Sequence, residues 1–387
     1  SLQPLLHDSY TKYLTDYCNI AIIIFFFFSC TKHKQEENCL TLKVQLEDRG
    51  ISFYDLFEKI ELIPLETNEQ SLIKNIMKVV AHDGNYYLLD YQRAEVLTFD
   101  STGNFLFKIS DRGEGPQEYI NISDLSIDKN TNKLLLLSAV NSSMYEYDLR
   151  GNFTKKYKLP NIAGAYKSFL ILNADTIAYF TFDFNNRVKL YSKSRNTIVK
   201  ELFPEKDNIL NKFSYYEFPY ENYFHRSASN ILYKIESDGN IVNGYSWDFG
   251  KLNNSRKQIE NLEKISSNEI HNYFYQLINS EIINHITILH GGNSKYLFTQ
   301  IWRKGKHINI FHDKTNNKNY TFEKTIENAT FHPLSWYEDY VIGFYSDEWG
   351  AIDETLPDAI LNDKNIRIKE QLNEYDNPVL IKYYFKD

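Results

Sequence analysis

Asp100-Ser-Thr-Gly-Asn-Phe105 returns 48 residues later as Asp148-Leu-Arg-Gly-Asn-Phe153. A third copy, Ser237-Asp-Gly-Asn-Ile241, places its glycine 88 residues beyond Gly151, twice 44. A degenerate copy, Ser192-Lys-Ser-Arg-Asn-Thr197, falls midway, and Asp313-Lys-Thr-Asn-Asn-Lys318 follows once a charged insertion is set aside. Asp and Asn tolerate tight-turn geometry, and Gly takes a positive φ at no steric cost. Each copy lies between two alternating apolar runs and so reads as a hairpin turn. Self-similarity with a period in the forties marks a stacked or closed repeat fold.

One period runs from about Met77 to Ser123. It holds Lys78–Ala81, Tyr86–Asp90, Glu95–Phe99 and Phe105–Ile109 as four short strands. Four strands per period is the grammar of a propeller blade rather than of a helical solenoid. Leu125–Ile127, Lys133–Leu137, Ser143–Tyr147 and Phe153–Tyr157 repeat it. Further units cover about Lys167–Phe203, Tyr216–Phe249 and Ile286–Phe322, and a sixth begins near Ala329. Two stretches carry helical rather than strand periodicity, Asn254–Asn279 and Leu356–Leu372. Without them, the roughly 330 residues from Phe57 onward hold six blades of about 45 residues each. The expected fold is therefore an all-β, six-bladed β-propeller of four-stranded antiparallel blades. Residues 53–387 form it. The alternating runs Phe57–Pro64 and Pro378–Phe385 are expected to meet in the last blade, so that neither end leaves a free sheet edge.

Tyr and Phe number 30 and 26, which suits twisted antiparallel sheets whose rings pack between blades. The net charge of −8 comes from interspersed acids and bases, with no basic stripe, which argues against nucleic acid as a partner. The three cysteines, Cys18, Cys30 and Cys39, all lie in the first forty residues. The repeats therefore carry neither a disulfide framework nor a cysteine metal site. Zinc-finger spacings, the His-Glu-x-x-His helix, a P-loop, a dinucleotide fingerprint and a Ser–His–Asp order are all absent from the sequence.

Residues 1–30 read as a signal peptide. Ile20–Phe28 is nine apolar residues, too short to span a bilayer but of the length of a signal-peptide core. Ser29-Cys30 follows and looks like the lipobox of bacterial lipoproteins, in which the cysteine becomes the lipidated first residue. Phe27 stands where that motif usually has Leu. Residues 31–52 are expected to be a tether, and Glu36-Glu37 resembles the acidic signal that sends Bacteroidota lipoproteins to the cell surface.

Gly113-Glu-Gly-Pro-Gln-Glu-Tyr119, after a blade's fourth strand, resembles the Gly-x-Gly-Pro-Gly-Glu-Phe/Tyr phrase of NHL-like blades, with Gln117 in place of Gly. Together with Ile63-Pro-Leu-Glu66, Asp248-Phe-Gly250 and Asn377-Pro-Val-Leu380, the chain resembles the six-bladed β-propeller lipoproteins common in gut Bacteroidota. That resemblance covers about Phe57 to Asp387. It implies the fold and an envelope location, as an outer-membrane lipoprotein held by its lipid alone. It implies no settled activity.

His225-Arg226, after the aromatic run Tyr215–Phe224, could hold an anionic or sugar ligand through stacking and ion pairing. His285 and His290 open the fifth blade, and His332 the sixth. Trp302-Arg303 and Trp336 could border a sugar site. The candidate ligand-binding residues are thus His225, Arg226, His290, Trp302, Arg303 and Trp336. Blade packing is the commoner role for residues of these types. The histidines share no fixed blade position, so no cofactor is expected. The expected function is a monomeric, lipid-anchored, non-catalytic propeller that binds a protein or glycan on one face. The insertion Asn254–Asn279 is expected over one channel opening, near the His225 and His290 loops. The alternative is a hydrolase or lyase acting on a glycan or lactone, with Zn or Ca in the central channel.

Overall fold

The computed structural model describes residues 39–46, 50–183, 185–204, 222–225, 229–253, 269–283, 285, 289–346 and 352–387. Its compact body runs from Thr41 to Asp387. Among the described residues the chain forms six four-stranded sheets, and the protein is a six-bladed β-propeller. Two strands come early, β1 (Leu40–Lys43) and β2 (Phe57–Pro64). The first blade is β3 (Ile76–His82), β4 (Asn85–Asp90), β5 (Glu95–Phe99) and β6 (Phe105–Ile109). The second is β7 (Asp124–Asp128), β8 (Lys133–Ser138), β9 (Ser143–Asp148) and β10 (Phe153–Lys158). The third is β11 (Tyr166–Ile171), β12 (Thr176–Thr181), β13 (Val188–Ser192) and β14 (Thr197–Leu202). The fourth holds β15 (Tyr223–His225), β16 (Ile231–Ile235) and β17 (Ile241–Asp248), with β1 on its outer edge. The fifth is β18 (Leu289–Gly292), β19 (Tyr296–Arg303), β20 (Lys306–Asp313) and β21 (Lys318–Phe322). The sixth joins β22 (Pro333–Trp336), β23 (Tyr340–Tyr345) and β24 (Val379–Phe385) to β2.

The repeated phrase sits at the turn after a blade's third strand. The Asp100 carboxylate accepts from the backbone N–H of Thr102 at 2.8 Å and of Asn104 at 3.0 Å. Partial burial raises this carboxyl's pKa, but those bonds and one from the Asn104 amide outweigh it and hold the group at about 2. Gly103 has φ +92, and a Cβ there would stand 2.1 Å from the Pro64 carbonyl, so only glycine fits. The turn thereby docks one blade on the outer strand of the blade before it. Between blades the apolar faces interdigitate. Leu89, Val96 and Ile109 meet Leu125, Leu134 and Leu136, all nearly sealed from water. Each such side chain contributes about 1.5–3 kcal/mol by leaving water.

The ring closes through Phe57–Pro64, which runs antiparallel to Val379–Phe385 with Ile60 opposite Tyr383 and Leu62 opposite Ile381. The outer edge of β2 is covered in turn. Buried Asn365, on α3 (Asp363–Gln371), accepts from Leu62 N–H at 3.2 Å and donates to the Ile60 carbonyl at 2.9 Å. One side chain thus satisfies the free donor and acceptor of an edge strand. The helical stretch expected over 356–372 is split, with α2 at Ile352–Thr355, a short turn at Asp358–Ile360, and α3 beyond Asn362, whose side chain caps it.

The expected tether, 31–52, is in part structural. Leu42 and Val44 alternate and bury against Tyr245 and Trp247, which makes this segment the outer strand of the fourth sheet. The chain then reaches across the fifth blade. Asn319 donates to the Lys43 carbonyl at 2.8 Å, Ile326 to Ile51 at 2.8 Å, and Phe53 N–H to Glu327 at 2.7 Å. The signal peptide and Cys30 lie outside the described residues. No helix among the described residues is long and apolar enough to cross a membrane.

Candidate functional face

Antiparallel neighbours give the propeller two chemically different faces. Turns joining first to second and third to fourth strands open on one side. Turns joining second to third strands, and the connections between blades, open on the other. On the first side the turns are Asp83-Gly84, Lys129–Asn132, Asn173–Asp175, Lys193–Asn196 and their equivalents, mostly polar. None of these turns carries an exposed large apolar residue among those described. On the second side, Leu72, Tyr91, Ile120, Val140, Phe182 and Leu289 stand in water. Tyr91 is 50% exposed and Val140 62%. Exposed large apolar residues are thus more numerous on the second side, while Tyr54, 44% exposed, stands by the β24–β2 junction on the first.

The blade-four and blade-five histidines lie toward this second face. The turn Glu236–Asn240 lies on the first side, its Ser237 carbonyl accepting from Asn173 of the blade-three first-side turn at 3.1 Å. β15 starts beside it, where Ile235 N–H donates to the Asn222 carbonyl, and runs away from it to His225. β18 begins at the second face, with His290 its second residue. The two rings, 5% and 6% exposed, have centroids 4.7 Å apart. His225 Nε2 is 2.7 Å from the Ser229 carbonyl. His285, fully buried, places Nε2 3.3 Å from Asn253 Oδ1. Neither nitrogen of His290 and not Nδ1 of His285 finds a partner. Burial lowers all three pKa values, His225 to about 4 and His285 to about 3, so the cluster is neutral. His290 is lowered by burial first and by the other two histidines next.

The other candidates go elsewhere. Arg226 lies outside the described residues. Trp302, the last residue but one of β19, sets its ring edge-on to His307 with the ring centroids 3.6 Å apart. Arg303 Nε donates to the Glu281 carbonyl at 3.0 Å. Both belong to the β19–β20 turn, which carries the described end of the insertion, α1 (Ile270–Asn279). Gly305 N–H donates to the Ile278 carbonyl at 3.0 Å, and Lys304 N–H to Ser280 at 2.9 Å. α1 therefore docks on a second-face turn of blade five; residues 254–268 of the insertion lie outside the described residues. Trp336 sits at the opposite end of its blade, beside the first-to-second-strand turn. It packs on Phe298 at 5.0 Å and Phe385 at 5.9 Å in the blade-five–six core. Gly291 is needed there, since a Cβ would stand 2.0 Å from the indole. The structure thus brings His225 and His290 into ring contact, with His285 near enough to influence both electrostatically, and leaves Trp336 apart. Sequence reasoning missed the apolar loop residues. Their signal is an apolar side chain inside a turn rather than a strand, as at Tyr91 and Val140. Among the described residues, no three His, Cys, Asp or Glu side chains already form a metal cage.

The architecture defines a six-bladed β-propeller closed by an early strand. Residues 38–384 match the family model described as Domain of unknown function (DUF4934), and the chain belongs to that family. No curated protein matches it. Among solved structures it is similar to a Bacteroides fragilis protein inferred to be exported, at 16% identity and a TM-score of 0.70, covering 90% of this chain and 100% of that one. It is also similar to a member of the DUF4221 family from Bacteroides vulgatus, at 11% identity and a TM-score of 0.50, covering 88% and 99%. At such identities the likeness establishes the fold alone.

Proposed function

We propose that this protein is a lipid-anchored cell-envelope propeller that docks a partner protein on the face carrying Tyr91, Ile120, Val140 and Phe182, without catalysis. The observation that carries the reading is the greater number of exposed apolar side chains in the loops of that face. The aliphatic members, Leu72, Ile120, Val140 and Leu289, suit a protein surface better than a sugar, since sugars stack on flat rings. The envelope location rests on the apolar run before Ser29-Cys30, with Cys30 the lipidated residue, and is in keeping with the inferred export of the Bacteroides fragilis protein.

Native electrophoresis of detergent extracts tests the docking. The wild type is expected in a complex. The triple variant Tyr91→Glu, Val140→Asp, Phe182→Glu should run as free protein, and Lys129→Glu, Lys193→Glu, Lys314→Glu on the other face should run as wild type. Equal behaviour of both triples removes the face from function. Cys30→Ala should leave the protein in the soluble fraction or unprocessed. If it stays detergent-dependent with a processed amino terminus, the anchor is elsewhere.

A further inference from the structure

A buried polar atom without a partner is costly, and native proteins leave few of them. Three such nitrogens lie on two histidines of the blade-four–five junction, two on His290, whose ring touches His225, and one on His285. The hydrogen bonds around them fix where the lone pairs point. A carbonyl oxygen can only accept, so the His225 nitrogen facing Ser229 is Nε2–H, and Nδ1 carries the lone pair. The Asn253 amide is oriented by its own bonds. Its Nδ2 donates to Asp248 at 2.8 Å and its Oδ1 accepts from Phe249 N–H at 3.2 Å. The Asn253 oxygen therefore faces His285 Nε2–H, and the His285 lone pair is on unpartnered Nδ1. One nitrogen of neutral His290 likewise carries a lone pair. An imidazole whose outer N–H is held by a carbonyl or amide oxygen is the arrangement metal-ligating histidines use.

The spacing fits as well. Two imidazoles on one ion, with nitrogen–metal distances of about 2.0–2.1 Å and an angle of about 90–110°, put their ring centres roughly 4.5 to 5.2 Å apart. His225 and His290 stand at 4.7 Å. We propose that His225 and His290 grip one divalent ion of the zinc class, with His285 closing on it as the third donor. This site lies toward the partner-binding face but does not rest on the docking reading. Among the described residues no three His, Cys, Asp or Glu side chains form a finished cage, and His225 and His290 are the pair whose spacing fits. Two neutral rings in simple contact would leave the same spacing, and ion uptake separates the two.

The test is titration of chelator-stripped full-length protein with Zn2+ alone, read by calorimetry and by X-ray absorption at the zinc edge. The expected result is one ion per chain with imidazole nitrogen ligands. His225→Gln and His290→Gln should each weaken uptake about tenfold or more, while His332→Gln, at another junction, binds as wild type. Circular dichroism and the unfolding midpoint of the stripped proteins show that the variants are folded. A rise in the midpoint on adding Zn2+ should appear in the wild type and disappear in His290→Gln. If Zn2+ does not bind, binds equally to the histidine variants, or is held through sulfur from the amino-terminal cysteines, the proposal is overturned.

Discussion

Single residues set the pH behaviour of this fold. His332 opens the last blade, and burial, reinforced by nearby His307, lowers its pKa to about 4. In the unfolded chain it titrates near about 6.5. Folding therefore favours the neutral form. The contribution is fully present above about pH 6.5 and is lost as the pH falls toward the folded value, because the unfolded state then binds the extra proton. Each such histidine adds about 1.4 kcal/mol of stability per pH unit within that window. His332→Asn should make stability between pH 7 and pH 5 less steep by about one proton, measured by chemical denaturation at both values. An unchanged pH slope would show that His332 titrates alike in both states. The turn carboxylates act in a separate, more acidic window. Asp148, held down mainly by its bond from the Asn152 side chain, loses its contribution as the pH falls through its lowered folded pKa.

At the scale of elements, the molecule's weak points are sheet edges, and it spends side chains on covering them. Asn365 pairs with the outer edge of β2, and the rest of α3 lies against that strand. Asn365→Ala would leave a buried N–H and a buried carbonyl unpaired, a cost of about 1–3 kcal/mol for each such group. Asn362→Ala removes only the cap of the same helix, at about 1 kcal/mol. Urea unfolding should therefore find Asn365→Ala clearly the more destabilised; equal losses would mean that the edge needs no cover. The elements were unevenly legible in the sequence. The Asp-x-x-Gly-Asn turns gave the blades because their chemistry demands a positive φ, seen at Gly103, Gly151 and Gly239. The early closing strand was legible because Phe57–Pro64 alternates over eight residues. β1 was not, since four residues, of which only Leu42 is deeply buried, give too short a period-two signal beside a polar stretch. Pro357 and the Asn362 cap divide what looked like one helix.

Across the whole molecule, strand alternation determines which loops share a face, and the distribution of side chains among those loops determines what each face can touch. That distribution becomes visible only once the strands are placed, because Leu72, Tyr91, Ile120 and Val140 are scattered in sequence and read singly as ordinary surface residues. The histidines show the same limit. His225 and His290 are 65 residues apart, and the sequence offered no reason to pair them before the fourth and fifth blades were set side by side. Trp336 shows the converse, since a tryptophan that could border a sugar proves to fill an aromatic core. The central claim is that one face, and not the other, meets a partner protein. Its most direct test is site-specific photocrosslinking in cells that make the native protein. A photoreactive phenylalanine is placed at Tyr91, Val140 or Phe182, and separately at Lys129, Lys193 or Lys314. The account predicts crosslinks to one common partner protein from the first three positions and none from the second three. Crosslinks from both faces alike, from the polar turns alone, or from neither would contradict it.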